Sequence, residues 1–277
     1  PTWPECTDGS MVPVANQSQG LHKFVEFGNR TLTFAVLLVS VAALLAVLRP
    51  ALARRFGSRW GVPGQPRRSL VLLASAVLAG IFGQALLGGI TVLLDLNPAT
   101  VAAHFLLSTL MIAAAFALYR RACEPGDLPY QVVVRSELRL VAGLIVGLAF
   151  LVLVLGTMVT GSGPHSGDAD VVVRFGFDPR TISWLHSDVV LLFIGLALSY
   201  TLGARLTDAP RAAQRSGTLV LAACVIQGAI GYIQYYSGVP IGLVSLHMLG
   251  ACLVWIASLN VYMGTRTRGA SFDREAQ

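Results

Sequence analysis

Gln84 and His104 are separated by twenty positions, and so are Gln227 and His247. The first interval reads QALLGGITVLLDLNPATVAAH and the second QGAIGYIQYYSGVPIGLVSLH. In each, a glycine stands four residues after the glutamine (Gly88, Gly231) and an isoleucine two further on (Ile90, Ile233). A short Pro-containing turn then leads to the histidine. Neutral imidazole is a good ligand for transition metals. Its repetition inside apolar segments predicts two halves that each hold something, and a metal centre is the chemistry these residues suit best.

The elements that must position these groups are membrane helices. Hydrophobic residues make up 55% of the 277 positions and charged residues only 12%, which excludes a soluble domain of this size. A span takes about 20 apolar residues. Seven stretches qualify: 26–48, 69–94, 99–120, 137–160, 184–206, 216–236 and 240–263. The expected fold class is all-α, a polytopic membrane helix bundle. The net charge of +6 does not point to nucleic acid, because sixteen of the twenty Lys and Arg residues lie on alternate loops and at the C-terminus. The positive-inside rule makes those segments cytoplasmic and puts the N-terminal segment outside.

Three of the five histidines, His104, His186 and His247, fall within spans near their outer ends, whereas His22 and His165 read as loop residues. Ionisable groups in membrane helices usually face the bundle interior. Zinc or copper would call for more Cys or carboxylate beside the imidazoles. Haem needs only one or two axial imidazoles and an apolar slot between helices, and the 28 glycines leave room for one. Haem is the best fit on these residue types.

Glu26 opens the first span in VEFGNR, with Asn29 and Arg30 on nearly the same helix face. Glu26 reads either as a solvated carboxylate at a helix N-terminus or as a proton-handling group beside a cofactor. Arg30 could reach a carboxylate such as a haem propionate. His186 precedes Arg205 by 19 residues, and Asn29 precedes Arg49 by 20, so Asn29 stands where symmetry would put a histidine. The expected organisation is an N-terminal half at 1–121, a cytoplasmic linker at 122–136, a C-terminal half at 137–265 and a cytoplasmic tail at 266–277. The C-terminal half has four spans and the N-terminal half three, which predicts two pseudo-symmetric four-helix halves with the first helix missing from this chain. Cys6 is the one cysteine on the oxidising outer face, where disulfides persist; it is a candidate redox cysteine.

The motifs PTWPEC, VEFGNR, VAAHFLLS, LGTMVTGSGPHSGD, SWLHSD and VSLHMLGA together resemble the haem A synthase family in its actinobacterial form. The resemblance runs over residues 1 to about 265. It implies a membrane oxidoreductase of eight helices that converts haem O to haem A, oxidising a porphyrin methyl group to a formyl group, for cytochrome oxidase assembly. It also implies that His186 and His247 are the axial ligands of a haem b. His104 would face the substrate haem, and Glu26 would be the essential carboxylate. Cys6 would be the second cysteine of an outer-loop pair. Many members carry a histidine where this chain has Asn29. Expected partners are haem O, the haem O synthase that supplies it, membrane lipids, an electron acceptor and, as a homo-oligomer, further copies of the chain. The expected location is a bacterial cell (inner) membrane.

Two other classes compete. A dihaem electron-transfer subunit of cytochrome b type usually places ligands at two depths, whereas these three histidines share one. A pseudo-symmetric transporter would carry broken helices or mid-membrane charges around its substrate, and the sequence shows neither.

Overall fold

The computed structural model describes residues 22–57, 64–167 and 173–268, with side chains from residue 27 onward. Among the described residues there are seven helices: α1 (His22–Phe56), α2 (Arg68–Leu93), α3 (Pro98–Ala122), α4 (Ser136–Ser162), α5 (Pro179–Leu206), α6 (Arg211–Tyr236) and α7 (Ile241–Met263). Each is long and apolar enough to cross a membrane, so the chain is an all-α, multi-pass membrane protein. Two-residue strands β1 (Gln131–Val132) and β2 (Arg266–Thr267) pair antiparallel.

Three helices run well beyond the apolar stretches that announce them; one is α6, which starts at Arg211 where 216 was expected. α1 was expected over 26–48 but continues past Pro50 to Phe56. Proline at position 50 removes the N–H that would bond the Ala46 carbonyl, a loss that membrane helices tolerate; the Pro50 carbonyl itself accepts from Gly64 N at 3.0 Å. α5 was expected from 184 but starts at Pro179, because Asp178 caps it. The Asp178 carboxylate accepts from Thr181 N at 2.8 Å and from Thr181 Oγ1 at 2.7 Å. Asp at the N-cap followed by Pro at the first helical position is a strong start signal. Polarity in that first turn hides it from a count of apolar residues.

The chain forms two compact units. One contains α1, α2 and α3, with α1 packed on α2 and α2 on α3. The other contains α4 to α7, closed into a four-helix ring by contacts of α4 with α5, α5 with α6, α6 with α7 and α7 with α4. Small residues let the helices of the second unit close in: Ala142, Ala197, Ala204 and Ala213 are fully buried, beside larger side chains such as Ile145, Tyr200 and Val220. Lipid tails are as apolar as leucine, so helices associate through close packing, and large side chains such as Leu32, Phe34, Leu38, Leu191 and Leu249 are left on the outside.

The internal repeat extends to individual backbone hydrogen bonds. In the α2–α3 turn, Leu94 N donates to Ile90 O, Asp95 N to Val92 O and Leu96 N to Thr91 O. In the α6–α7 turn, Ser237 N donates to Ile233 O, Gly238 N to Tyr235 O and Val239 N to Gln234 O, each pair offset by the same 143 positions. Both are Schellman-type endings. Two residues in each hold positive φ: Asp95 and Leu96 at 50° and 54°, Gly238 and Val239 at 76° and 60°. A β-branched residue such as Val239 pays for that conformation, so the turn geometry is imposed by the helices it joins.

Candidate functional site

Each membrane histidine sits one to two turns inside its own helix. His104 follows the first residue of α3 by six positions, His247 that of α7 by six and His186 that of α5 by seven. At about 1.5 Å per residue this is roughly 9–10 Å of helix in each case. The depth of His186 is greater than its position in the apolar stretch suggested, because α5 starts five residues earlier.

All three rings are seated in the same way. A Cβ built on Gly88 of α2 would lie 3.1 Å from His104 Cε1; one on Gly231 of α6 would lie 3.0 Å from His247 Cε1; one on Gly156 of α4 would lie 3.4 Å from His186 Cε1. Each imidazole is therefore laid edge-on against a glycine of the neighbouring helix; a side chain at Gly88 or Gly231 would press on the ring, while at Gly156 a methyl would only touch it. Gly88 and Gly231 stood out in the sequence as part of the repeat. Gly156 did not, because it belongs to no repeated motif in this chain.

The two glutamines fix the backbone behind two of these rings. Gln84 Nε2 donates to His104 O at 3.1 Å and to Ser108 Oγ at 2.6 Å. Gln227 Nε2 donates to His247 O at 2.6 Å. In a helix interior those carbonyls already accept from the residue four positions on, so each glutamine adds a second bond that ties one helix to the next.

The Nδ1 atoms of His104, His186 and His247 are buried and have no hydrogen-bond partner. A buried polar atom left unpaired costs free energy, and natural structures rarely leave one without a reason. Here three equivalent orphans occur on three equivalently seated imidazoles. His186 and His247 belong to the same unit and lie close enough to interact electrostatically; the His186 ring also lies within reach of the Val152 carbonyl. Among the described residues no group of three or more His, Cys, Asp or Glu gathers that could cage a metal ion. The donor set is one of separate imidazoles in apolar surroundings, which fits an iron porphyrin ligated axially and does not fit an all-protein zinc or copper cage.

The remaining predicted site residues are placed as follows. Asn29 and Arg30 lie in the second turn of α1, with Asn29 exposed and Arg30 half-buried. Asn29 O accepts from Thr33 Oγ1 at 3.0 Å. Asn29 follows the first residue of α1 by seven positions, the register that His186 has in α5. Glu26 lies in α1, with its side chain outside the described part of the structure, and Cys6 lies outside the described residues. The described cysteines Cys123, Cys224 and Cys252 are all free. His165, which the sequence suggested was merely solvated, donates from Nε2 to Val239 O at 2.7 Å. It thus ties the segment after α4 to the α6–α7 turn that leads to His247.

A comparison with curated proteins returns no match. A family model, COX15-CtaA, described as cytochrome oxidase assembly protein, matches residues 1–167. The matched segment contains Glu26, Asn29, Arg30 and His104, while His186 and His247 lie beyond it and are linked to it by the repeat. Because the match covers more than half of the chain, the chain belongs to the COX15-CtaA family of cytochrome oxidase assembly proteins, the haem A synthase family.

Proposed function

We propose that the chain oxidises the methyl substituent of haem O to a formyl group, yielding haem A for cytochrome oxidase. The observation that carries this reading is the set of three glycine-seated imidazoles at matching positions within apolar helices, two of them in one unit. His186 and His247 are assigned as the residues that would hold a resident haem b, and His104 as the residue that would meet the substrate haem. Haem b would supply one-electron redox capacity that side chains lack.

The reaction removes four electrons and four protons from the methyl group and water together, leaving the formyl group. The methyl carbon is first hydroxylated, then oxidised again to a gem-diol, which loses water to give the aldehyde. The electrons leave to an external acceptor. Protons are released beside the methyl group, and Glu26 is the carboxylate assigned to take them. The apolar helix faces around His104 hold the substrate away from bulk water. Gln84 and Gly88 keep the imidazole oriented, which spares the substrate complex the entropy of ordering it. Arg30 is assigned to a propionate of the substrate haem. With Asn29 in place of a second histidine, the N-terminal half would hold its haem by one imidazole where the C-terminal half would use two. A substrate must be released, and a settled bis-histidine cofactor need not be.

We assign the N-terminal half, 1–121, to the substrate haem and the C-terminal half, 137–265, to haem b. The linker 122–136 and tail 266–277 are assigned to the cytoplasmic side of a bacterial cell membrane. The test is co-expression of the intact chain with a source of haem O, followed by extraction and chromatography of the haems. Haem A or its hydroxylated precursor is expected. A haem-loaded protein that yields neither would sink the proposal.

A further inference from the structure

Fifteen residues along α7 from His247, about 22 Å of helix, the second unit carries a different kind of site. There Ser136, Arg139, Leu140, Gly143, Leu144 and Tyr262 line a groove of about 410 Å³. The groove follows one stripe of α4, and its apolar wall faces outward: Leu140 is 65% exposed and Leu144 50%. A Cβ built on Gly143 would meet only Tyr262 Cε2, at 3.9 Å, so the groove floor has room at that point.

Arg139 lines the groove, and two further guanidiniums share the Tyr130 ring with it. Arg139, Arg266 and Arg268 lie 5.2, 5.0 and 5.5 Å from the centroid of the Tyr130 ring. The pairing of β1 with β2 brings them there, since it joins the segment before α4 to the segment after α7. Arg268 is held by Glu124 at 3.4 Å and donates to Leu128 O. Glu137 pairs with Arg135 at 3.5 Å, and Asp127 in the same loop makes an interaction of its own. Setting the Arg135–Glu137 pair aside, Arg139, Arg266 and Arg268 against Glu124 and Asp127 of the neighbouring loop count to one net positive charge among the described residues. The cluster also holds the Tyr130 phenol below its ordinary pKa, chiefly through its bond with Arg139 and then through the charges of the three arginines.

We propose that this is a binding site for one anionic phospholipid, its phosphate on Arg139 and Arg266 and an acyl chain along Leu140, Gly143, Leu144 and Tyr262. The single excess charge complements one phosphodiester, and arginine suits phosphate through its fork of donors. The exposed apolar stripe continues from the guanidiniums into the membrane-spanning part of α4, the layout of a headgroup followed by its tail. A bound lipid would bridge α4 and the β1–β2 clasp, fixing the end of the four-helix ring opposite the histidines. The site does not depend on what happens at those histidines.

The test is native mass spectrometry of the detergent-purified full chain, titrated with phosphatidylglycerol or with phosphatidylcholine of the same acyl chains. Phosphatidylglycerol adducts are expected to persist where phosphatidylcholine adducts do not. Arg139→Gln with Arg266→Gln should weaken phosphatidylglycerol by roughly 25-fold, about fivefold for each charge removed. Arg54→Gln with Arg55→Gln, an equal loss of charge at the end of α1, should leave it unchanged. Gly143→Leu keeps every charge, fills the groove and should also weaken the lipid, so the test survives a misfolded arginine variant. Equal binding of the two lipids, or unchanged phosphatidylglycerol binding in Gly143→Leu, would overturn the proposal. Displacement of the lipid by inorganic phosphate would make the cluster a plain anion site, and that also overturns it.

Discussion

Substituting Gly231 by Ala tests whether the glycines set the imidazoles. The new methyl would lie 3.0 Å from His247 Cε1 and 3.5 Å from Nδ1. Carbon atoms pack best at about 3.5–4.0 Å, so Cε1 must retreat by about half an ångström or the ring must turn. A turn of about 30° from a rotamer well costs about 0.5–1.5 kcal/mol, which is roughly two- to tenfold in the affinity of whatever the imidazole ligates. Helix propensity acts in the opposite direction, since Ala is better than Gly in a helix interior by about 1 kcal/mol. The expected signature is therefore divided. The apoprotein unfolds at nearly its usual temperature, while haem b is held less tightly and its low-spin ferric signals shift.

Gly156→Ala provides the comparison on the other ligand of the same proposed haem. Its methyl would lie 3.4 Å from His186 Cε1, close to ordinary contact. This variant should keep its haem and its spectrum and gain slightly in thermal stability. The assay is haem content per protein together with low-temperature electron paramagnetic resonance of the purified ferric protein. If Gly231→Ala showed the wild-type spectrum and haem content, or if Gly156→Ala were the more damaged, the seating argument would be wrong. Loss of haem in His247→Ala, measured in parallel, separates that failure from an error in the ligand assignment.

Other substitutions address the remaining groups. His186→Ala and His247→Ala should each lose the haem b absorbance, whereas His104→Ala and Glu26→Ala should retain it and make no haem A; turnover in Glu26→Ala would return Glu26 to a capping role. Gln84→Ala removes two interhelical bonds and Gln227→Ala one, so Gln84→Ala should be the more destabilised, by about 1–2 kcal/mol against about 1, in thermal unfolding of the detergent-purified protein. Asp178 has its pKa lowered below the ordinary 3.8, first by the Thr181 hydroxyl and then by the Thr181 amide. Its contribution is fully present above that ordinary value and is lost as pH falls through the lowered one. Asp178→Ala should thus melt earlier than wild type at neutral pH and equally in strong acid; a gap independent of pH would refute the capping role.

The seven spans were legible because lipid imposes a simple rule of length and apolarity, and the ends were less so because they obey other rules. The extra residues of α5 are polar and are recruited by Asp178 and Pro179, a signal that needs capping chemistry to be read. The Gln–Gly–His constellation was legible because it occurs twice, and repetition makes a tertiary contact visible as a sequence pattern. Gly156 makes the same contact with His186 but has no second copy in the chain. The β1–β2 clasp was invisible for a related reason: two residues at 131–132 meet two at 266–267, and neither pair carries a strand signal. His165 looked like a solvated loop residue because its partner, the Val239 carbonyl, is a backbone group that no side-chain pattern announces.

The two halves differ where their helices approach each other, and the difference has a direction. In the first unit Gly83 of α2 receives Leu107 of α3, the Cδ2 atom lying 3.5 Å from a built Cβ. The equivalent positions in the second unit are Ile226 of α6 and Gly250 of α7, so the glycine has changed helix. Its space is filled by the Gln227 amide, which lies so close that a Cβ on Gly250 would overlap Oε1. Gln84 instead turns its amide nitrogen toward Ser108, for which the second unit has Ala251. The result is a shorter bond from glutamine to the histidine carbonyl in the second unit, 2.6 Å against 3.1 Å. A histidine that shares its unit with a second imidazole suits a cofactor that stays. A histidine with Asn29 in the register of its missing counterpart suits a haem that must arrive, react and leave.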